Sequence, residues 1–324
     1  MTTRTQTRAD SPVQAASTDR TVLIAFLLFV FIMGGASVAI RITYVEMAPF
    51  WAGASRFLLA GLVFWGLVIY KHIPLPKGRA LLGAVLFGTL SVGLAFLLIA
   101  WGLVETPASR YQILMATVPL LTVFLAALHG VEALSIQGVL GSLLAVGGIV
   151  VTVGGAGRAE MSLPHIAAIL LAALCNAEGV VLIKKFPPNP PIMINAIGLT
   201  IGGIILGVAS LVSGESWNLP TLTSTWIAWL YLVIFVTIFG FLLYLFALSK
   251  WSASKTSYGF VLIPLVTIVV ASSLAGEKIT WNFLAGAGLV LAGVMIGALL
   301  PNRKKPVGVE EDIDLSAEIM PPCA

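Results

Sequence analysis

The sequence predicts an all-α integral membrane protein, with ten transmembrane helices in two inverted five-helix repeats around a central cavity. Three observations predict it. Of the 324 residues, 59% are hydrophobic and 10% charged, and the mean hydropathy is +1.03; a soluble domain covers its surface with about 25% charged residues. Ten apolar runs follow one another, and about 20 apolar residues suffice to cross a hydrocarbon core. Finally, a stretch of the first half recurs in the second.

The recurrence is gapless. Ala108, Ser109, Arg110, Pro119, Leu120, Thr122, Glu132, Gly141 and Gly148 have as counterparts Ala253, Ser254, Lys255, Pro264, Leu265, Thr267, Glu277, Gly286 and Gly293, each pair 145 positions apart. Phe96, Leu97 and Leu98 match Phe241, Leu242 and Leu243 at the same offset, while Val38 pairs more loosely with Val181 and Arg41 with Lys184. A repeat of half a chain means two copies of one unit.

Taken in order, residues 1–20 are polar and rich in Thr, Ser and Ala, the composition of a disordered tail. The apolar segments lie at 22–40, 50–70, 80–103, 107–129, 136–154, 163–183, 191–213, 226–248, 254–275 and 281–300. Turn residues punctuate the short connections, among them Pro74, Pro76, Gly154, Pro187, Gly214 and Pro220. The first repeat is thus expected at 21–155, the second at 160–300, and a tail at 301–324 that opens basic and turns acidic.

Lys and Arg stay on the cytoplasmic side of a membrane. With the N-terminus inside, thirteen of them fall in cytoplasmic connections or tails; Arg41, Arg110, Arg158 and Lys278 fall outside, and Arg56 within a segment. Both termini are then cytoplasmic. Five segments per half is an odd number, so the second copy is inserted upside down. Inverted repeats are a recurrent architecture of secondary transporters, in which two halves exchange roles to open a central site to either side.

Ten apolar segments in two halves, the run Arg56, Phe57, Leu58, Leu59, Ala60, and the doubled pattern with Pro-Leu and a Glu thirteen residues after Pro resemble the drug/metabolite transporter superfamily, EamA type. The resemblance spans about residues 20–300. It implies a ten-helix bundle around a central cavity and export of small metabolites, often amino acids. The sequence departs from the pattern at His129, Gly130, Val131, Glu132, where the family commonly has Leu-Gly-Glu, and at Glu178, an acid not expected there.

Candidate working residues follow from the cost of polar groups in hydrocarbon. Pro119 and Pro264, near the middle of segments 4 and 9, each free the carbonyl four residues earlier, on Met115 and Phe260. They are expected to act as matched hinges. Polar stripes around them nominate Tyr111, Gln112 and Met115 in one copy and Ser257, Tyr258 and Phe260 in the other as substrate contacts, with Trp101, Asn176 and Glu178. The alternative for such stripes is glue between helices. Glu178 is read as a ligand for a substrate amine or as a proton carrier. Arg56 is opposite in sign but stands ~13 Å away in depth at ~1.5 Å rise per residue, so it is read as a structural charge. Glu132 and Glu277, three residues before the potential caps Ser135 and Thr280, are read as structural too.

No phosphate-binding Gly-Lys-Ser/Thr motif, metal-ligand cluster or catalytic constellation stands out, so no catalytic residue, metal or cofactor is expected. The two cysteines, Cys175 and Cys323, build no disulfide framework. The expected partners are a small-molecule substrate, the lipid bilayer and, as candidate coupling ion, protons; no nucleic acid is expected, and monomer and homodimer both stay open. The function read here is export of a small neutral or zwitterionic metabolite, such as an amino acid, across the cell membrane by alternating access. The alternatives are facilitated diffusion of drugs or other metabolites and an intramembrane enzyme of lipid or isoprenoid chemistry.

Overall fold

The computed structural model describes residues 12–106, 108–153, 163–275 and 281–299, and every regular element among them is helical. In chain order these are α1 (Pro12–Gly34), α2 (Ala36–Thr43), α3 (Pro49–Tyr70), α4 (Gly78–Glu105), α5 (Ala108–Met115), α6 (Val118–Leu128), α7 (Ile136–Val153), α8 (Leu163–Lys185), α9 (Pro191–Val212), α10 (Thr223–Lys250), α11 (Ala253–Ser257), α12 (Gly259–Ala275) and α13 (Trp281–Val294). Among the described residues six helical spans are long and apolar enough to cross a membrane: Arg20–Thr43, α3, α4, α8, α9 and α10. Within the described residues each of the ten apolar segments coincides with helix, and segments 1, 4 and 9 are each split into two pieces. Glu277 and the tail 301–324 lie outside the described residues.

Local chemistry sets the ends. Pro49 and Pro191 stand in the first turns of α3 and α9, where a missing N–H costs nothing. Gly130 and Gly214 take φ of 67° and 65° in the turns after α6 and α9, a region closed to most side chains. Helix starts at Pro12, inside the stretch read as a polar tail, because residues 12–20 run without a breaker into the apolar segment.

Helix packing follows an exchange of halves. Exchanging α1–α2 with α8, α3 with α9, α4 with α10, α5–α6 with α11–α12 and α7 with α13 maps each main contact onto another. Among the pairs that map onto themselves are α3 with α9 and α7 with α13. Both are close approaches through glycine. A Cβ on Gly203 would stand 2.7 Å from Leu58, and one on Gly141 would stand 2.6 Å from the Gly293 carbonyl. The remaining contacts exchange in couples, α4 on α8 with α10 on α1, and α6 on α8 with α12 on α1.

The ladders of α4 and α10 both widen to π geometry, at Gly88–Leu94 and Leu232–Gly240, matched places in the two halves. Such widenings are frequent at functional sites. The first span kinks at Gly34 and Gly35, the usual cause of a sharp bend. Gly34 presses so close to α12 that an added Cβ would stand 2.3 Å from Val266, and the Gly34 carbonyl accepts the Thr267 hydroxyl at 2.8 Å.

Carboxylates tie one half to the other at helix N-termini, where unpaired N–H groups favour negative charge. Glu215, in the loop after α9, accepts from the N–H groups of Phe50 and Trp51 at the start of α3. Reciprocally, Glu46, in the loop before α3, accepts from the N–H groups of Thr221 and Leu222 and from the Thr221 hydroxyl, ahead of α10. The hydroxyls of Thr221 and then Thr225 hold the Glu46 carboxyl down at about 2. Trp51 and Trp217 stack beside this clasp with centroids 4.7 Å apart. At the other end Glu132 accepts from the Ser254 N–H at 3.2 Å, while Ser135 accepts from the Gly138 N–H and caps α7.

The Gly141 contact tolerates no side chain, because the facing atoms are backbone. Gly141→Val is expected to destabilise the protein by about 1–3 kcal/mol through overpacking, read as a lower melting temperature in detergent. Gly147→Ala, where nothing stands within 4 Å, should leave that temperature unchanged.

Candidate functional site: a central cavity

Where the two halves meet, the helices line a cavity of ≈ 90 Å³, room for several waters at about 10–15 Å³ each. Both kinked and widened places contribute to it. Met33, Ala36 and Ser37 line it from the kink of the first span, Ser91 and Val92 from the π stretch of α4, and Val236 from that of α10. Its apolar wall is aromatic, with Phe29, Phe87, Phe96, Phe241 and Phe260.

Part of the polar lining is unpaired. Arg56 Nε, Asn176 Oδ1, Asn195 Nδ2 and the Tyr244 hydroxyl are buried without a hydrogen-bond partner among the described residues, and all four residues line the cavity. Leaving a buried polar atom unsatisfied costs about 1–3 kcal/mol, and four such atoms belong to the lining of this one void. Arg56 is 5% exposed and its guanidinium carbon lies 4.7 Å from the Phe57 ring centroid and 5.4 Å from that of Phe96. Gln112 donates to the Ser37 hydroxyl at 3.4 Å.

The polar groups fall at two depths. Gly203 of α9 lies against Leu58 of α3, two residues from Arg56. Asn195 is eight residues earlier on α9, so it stands roughly 12 Å further along the axis. Arg56 and Asn195 thus mark two poles of the lining, with Tyr111 beside Arg56 and Gln112 bonded to Ser37.

Of the residues nominated from sequence, Tyr111, Gln112, Met115, Asn176 and Phe260 line this cavity, and Arg56, read as a structural charge near the outer interface, joins them. Four others stand elsewhere. Glu178 is two residues past Asn176, about 200° around α8, and its Oε1 meets His129 Nε2 of the α6 end at 2.8 Å, both side chains about a quarter exposed. Trp101, five residues past Phe96 and about 140° around its helix, is 42% exposed with its ring 4.6 Å from that of His165. Ser257 turns its hydroxyl onto the Ser254 carbonyl at the break between α11 and α12. Tyr258 donates to the Gly138 carbonyl at 3.0 Å and meets the Ser142 hydroxyl at 3.1 Å, locking α7 against that break.

The two prolines differ in setting. The chain leaves helical geometry at Ala116 and Thr117, and Pro119 stands in the first turn of the new helix. Pro264 lies inside unbroken α12, whose break comes six residues earlier at Tyr258. In this conformation the halves bend at unmatched points.

Sequence reasoning missed Asn195, although an amide in an apolar run is itself a signal. It also missed the pairing of Glu178 with His129, which are 49 positions apart in different halves. No group of three or more metal-ligating side chains occurs among the described residues.

The profile of the EamA-like transporter family matches twice, at residues 20–154 and 163–298. The chain belongs to that family. The inner membrane transporter YedA of Escherichia coli strain K12, described as uncharacterized, is 29% identical over 304 residues, covering 90% of this chain and 96% of YedA. A probable terminal-alkyne amino-acid exporter of Streptantibioticus cattleyicolor is 25% identical over 232 residues, 68% of this chain and 74% of that protein. A crystal structure of 17% sequence identity superposes with TM-score 0.73 over 86% of this chain and 98% of its own, which shows the same fold. This EamA-family chain is therefore a multi-pass membrane transporter, not an enzyme.

An unpaired buried donor is a stability cost kept for another purpose. Asn195→Leu, apolar and of similar size, is expected to leave stability unchanged or to raise it by about 1 kcal/mol while lowering transport, as parallel thermal-melt and flux measurements would read.

Proposed function

We propose that this EamA-family protein is a secondary transporter that exports a small amphipathic metabolite, an amino acid being the representative case, through the central cavity by alternating access. The four unpartnered polar atoms around a cavity between the two halves carry the reading. A ligand that satisfies them recovers the cost of leaving them bare, and a site between exchangeable halves can be opened to either side. The amino-acid exporter among the relatives supports the substrate class. The lysine and arginine bias supports a cell membrane location with both termini cytoplasmic.

On this reading the ends of the halves act as gates. The reciprocal Glu46 and Glu215 clasp lies on the outer face, and the Glu132 contact to Ser254 with the Glu178 pair to His129 on the inner face. The breaks near Pro119 and Pro264 supply the bending. Protons are the proposed coupling ion, taken up at the Glu178 and His129 pair rather than in the cavity.

In proteoliposomes loaded with labelled amino acids, the parent chain should give protein-dependent flux. Ala36→Trp, which fills the cavity from the kink, should abolish that flux while the protein still elutes as a single species. Unchanged flux in Ala36→Trp would place the substrate path elsewhere. Glu178→Gln should lose accumulation driven by a pH gradient yet keep exchange of substrate; full pH-driven accumulation would rule out coupling at this pair.

A further inference from the structure

We infer that the cavity recognises a monocarboxylate with an apolar body, its carboxylate held by Arg56. The inference rests on the cavity being the transport site, and it narrows what that site accepts. Charge carries it first. Arg56 is the only charged side chain in the lining, and no ion pair of it occurs among the described residues. The groups its charge meets are the phenols of Tyr44 and Tyr111 and two phenylalanine rings. A buried, unpaired cation costs several kcal/mol, which a ligand that supplies the counter-charge offsets. The guanidinium presents a planar fork of donors that matches a carboxylate, and its Nε is one of the unpartnered atoms.

Shape and the opposite pole complete the specification. Beyond Arg56 the wall is Phe96, Phe241, Phe29 and Met33, a seat for an aromatic or branched aliphatic body. Further along α9 the lining offers Asn195 Nδ2, and Asn176 Oδ1 and the Tyr244 hydroxyl are further unpartnered groups of the same lining, all neutral. They suit a hydroxyl, carbonyl or amide on the substrate. Among the described residues no carboxylate lines the cavity to hold an ammonium, because Glu178 is turned onto His129. A free carboxylic acid is therefore bound at least as well as the amino acid of the same skeleton, and an amine lacking the carboxylate is bound worst.

Three probes of one skeleton separate these cases: hydrocinnamate, phenylalanine and phenethylamine, measured by equilibrium binding to the purified full chain and by flux in proteoliposomes. The parent chain should bind the two carboxylates about tenfold or more tighter than the amine, the scale of a charge-assisted hydrogen-bonded pair. Arg56→Gln should erase that preference, whereas Arg56→Lys, which keeps the charge, should retain part of it and so separates recognition from a folding defect. A parent chain that prefers the amine, or an Arg56→Gln protein that keeps the preference for carboxylates, would overturn the inference. Unchanged flux in Ala36→Trp would instead overturn the cavity as transport site, so the two failures are told apart.

Discussion

In hydrocarbon no bulk water stands ready to receive a freed backbone group, so every break in a helix must be answered by another helix or by a nearby side chain. The fold depends on this constraint. The kink at Gly34 and Gly35 is tolerated because Thr267 of the opposite half bonds the Gly34 carbonyl, and the same glycine lets α12 come close enough to do so. The break that ends α5 is partly closed by the Thr117 hydroxyl on the Leu114 carbonyl, and Thr122 closes onto Val118 in the next helix. A bend in one half thus becomes a contact with the other, and the cavity opens where bent and widened ladders face each other.

The ends of the helices obey the same rule with charge added. Glu46, Glu215 and Glu132 each serve the N-terminal N–H groups of an element from the opposite half. A carboxylate satisfies two or three such donors at once and interacts with the positive end of the helix. These contacts lie at loops, where bonds can be exchanged against water. The glycine-packed pairs α3 with α9 and α7 with α13 cannot be exchanged so cheaply, since their contacts are backbone against side chain or backbone against backbone. The molecule therefore joins a tightly packed axis to ends fastened by polar bonds.

Inside, the energetic pattern is reversed. The cavity keeps a guanidinium, two amides and a phenol with partners missing, and a stability-driven interior would have replaced them with Leu or Phe. Their cost is borne by the surrounding packing, a usual relation between function and stability. It also explains why Arg56 is set against rings: the faces of Phe57 and Phe96 are the mildest neighbours a cation can have when no anion is present.

What the sequence by itself determined is what depends on composition and on distance along the chain. The charge-poor runs require helices in a membrane, and the 145-residue offset requires two copies of one unit. The residues of the stripe Tyr111, Gln112 and Met115 fall together on the cavity lining because helical periodicity is local. Only the tertiary structure decided which way the other polar residues face. A turn of about 200° takes Glu178 from the cavity to His129, and the register of α3 on α9 brings Arg56 and Asn195 to one void. It also decided that Pro119 starts a helix while Pro264 lies within one. The reason is physical: a proline removes one bond from the ladder, but neighbouring helices determine whether the chain bends there or some residues away.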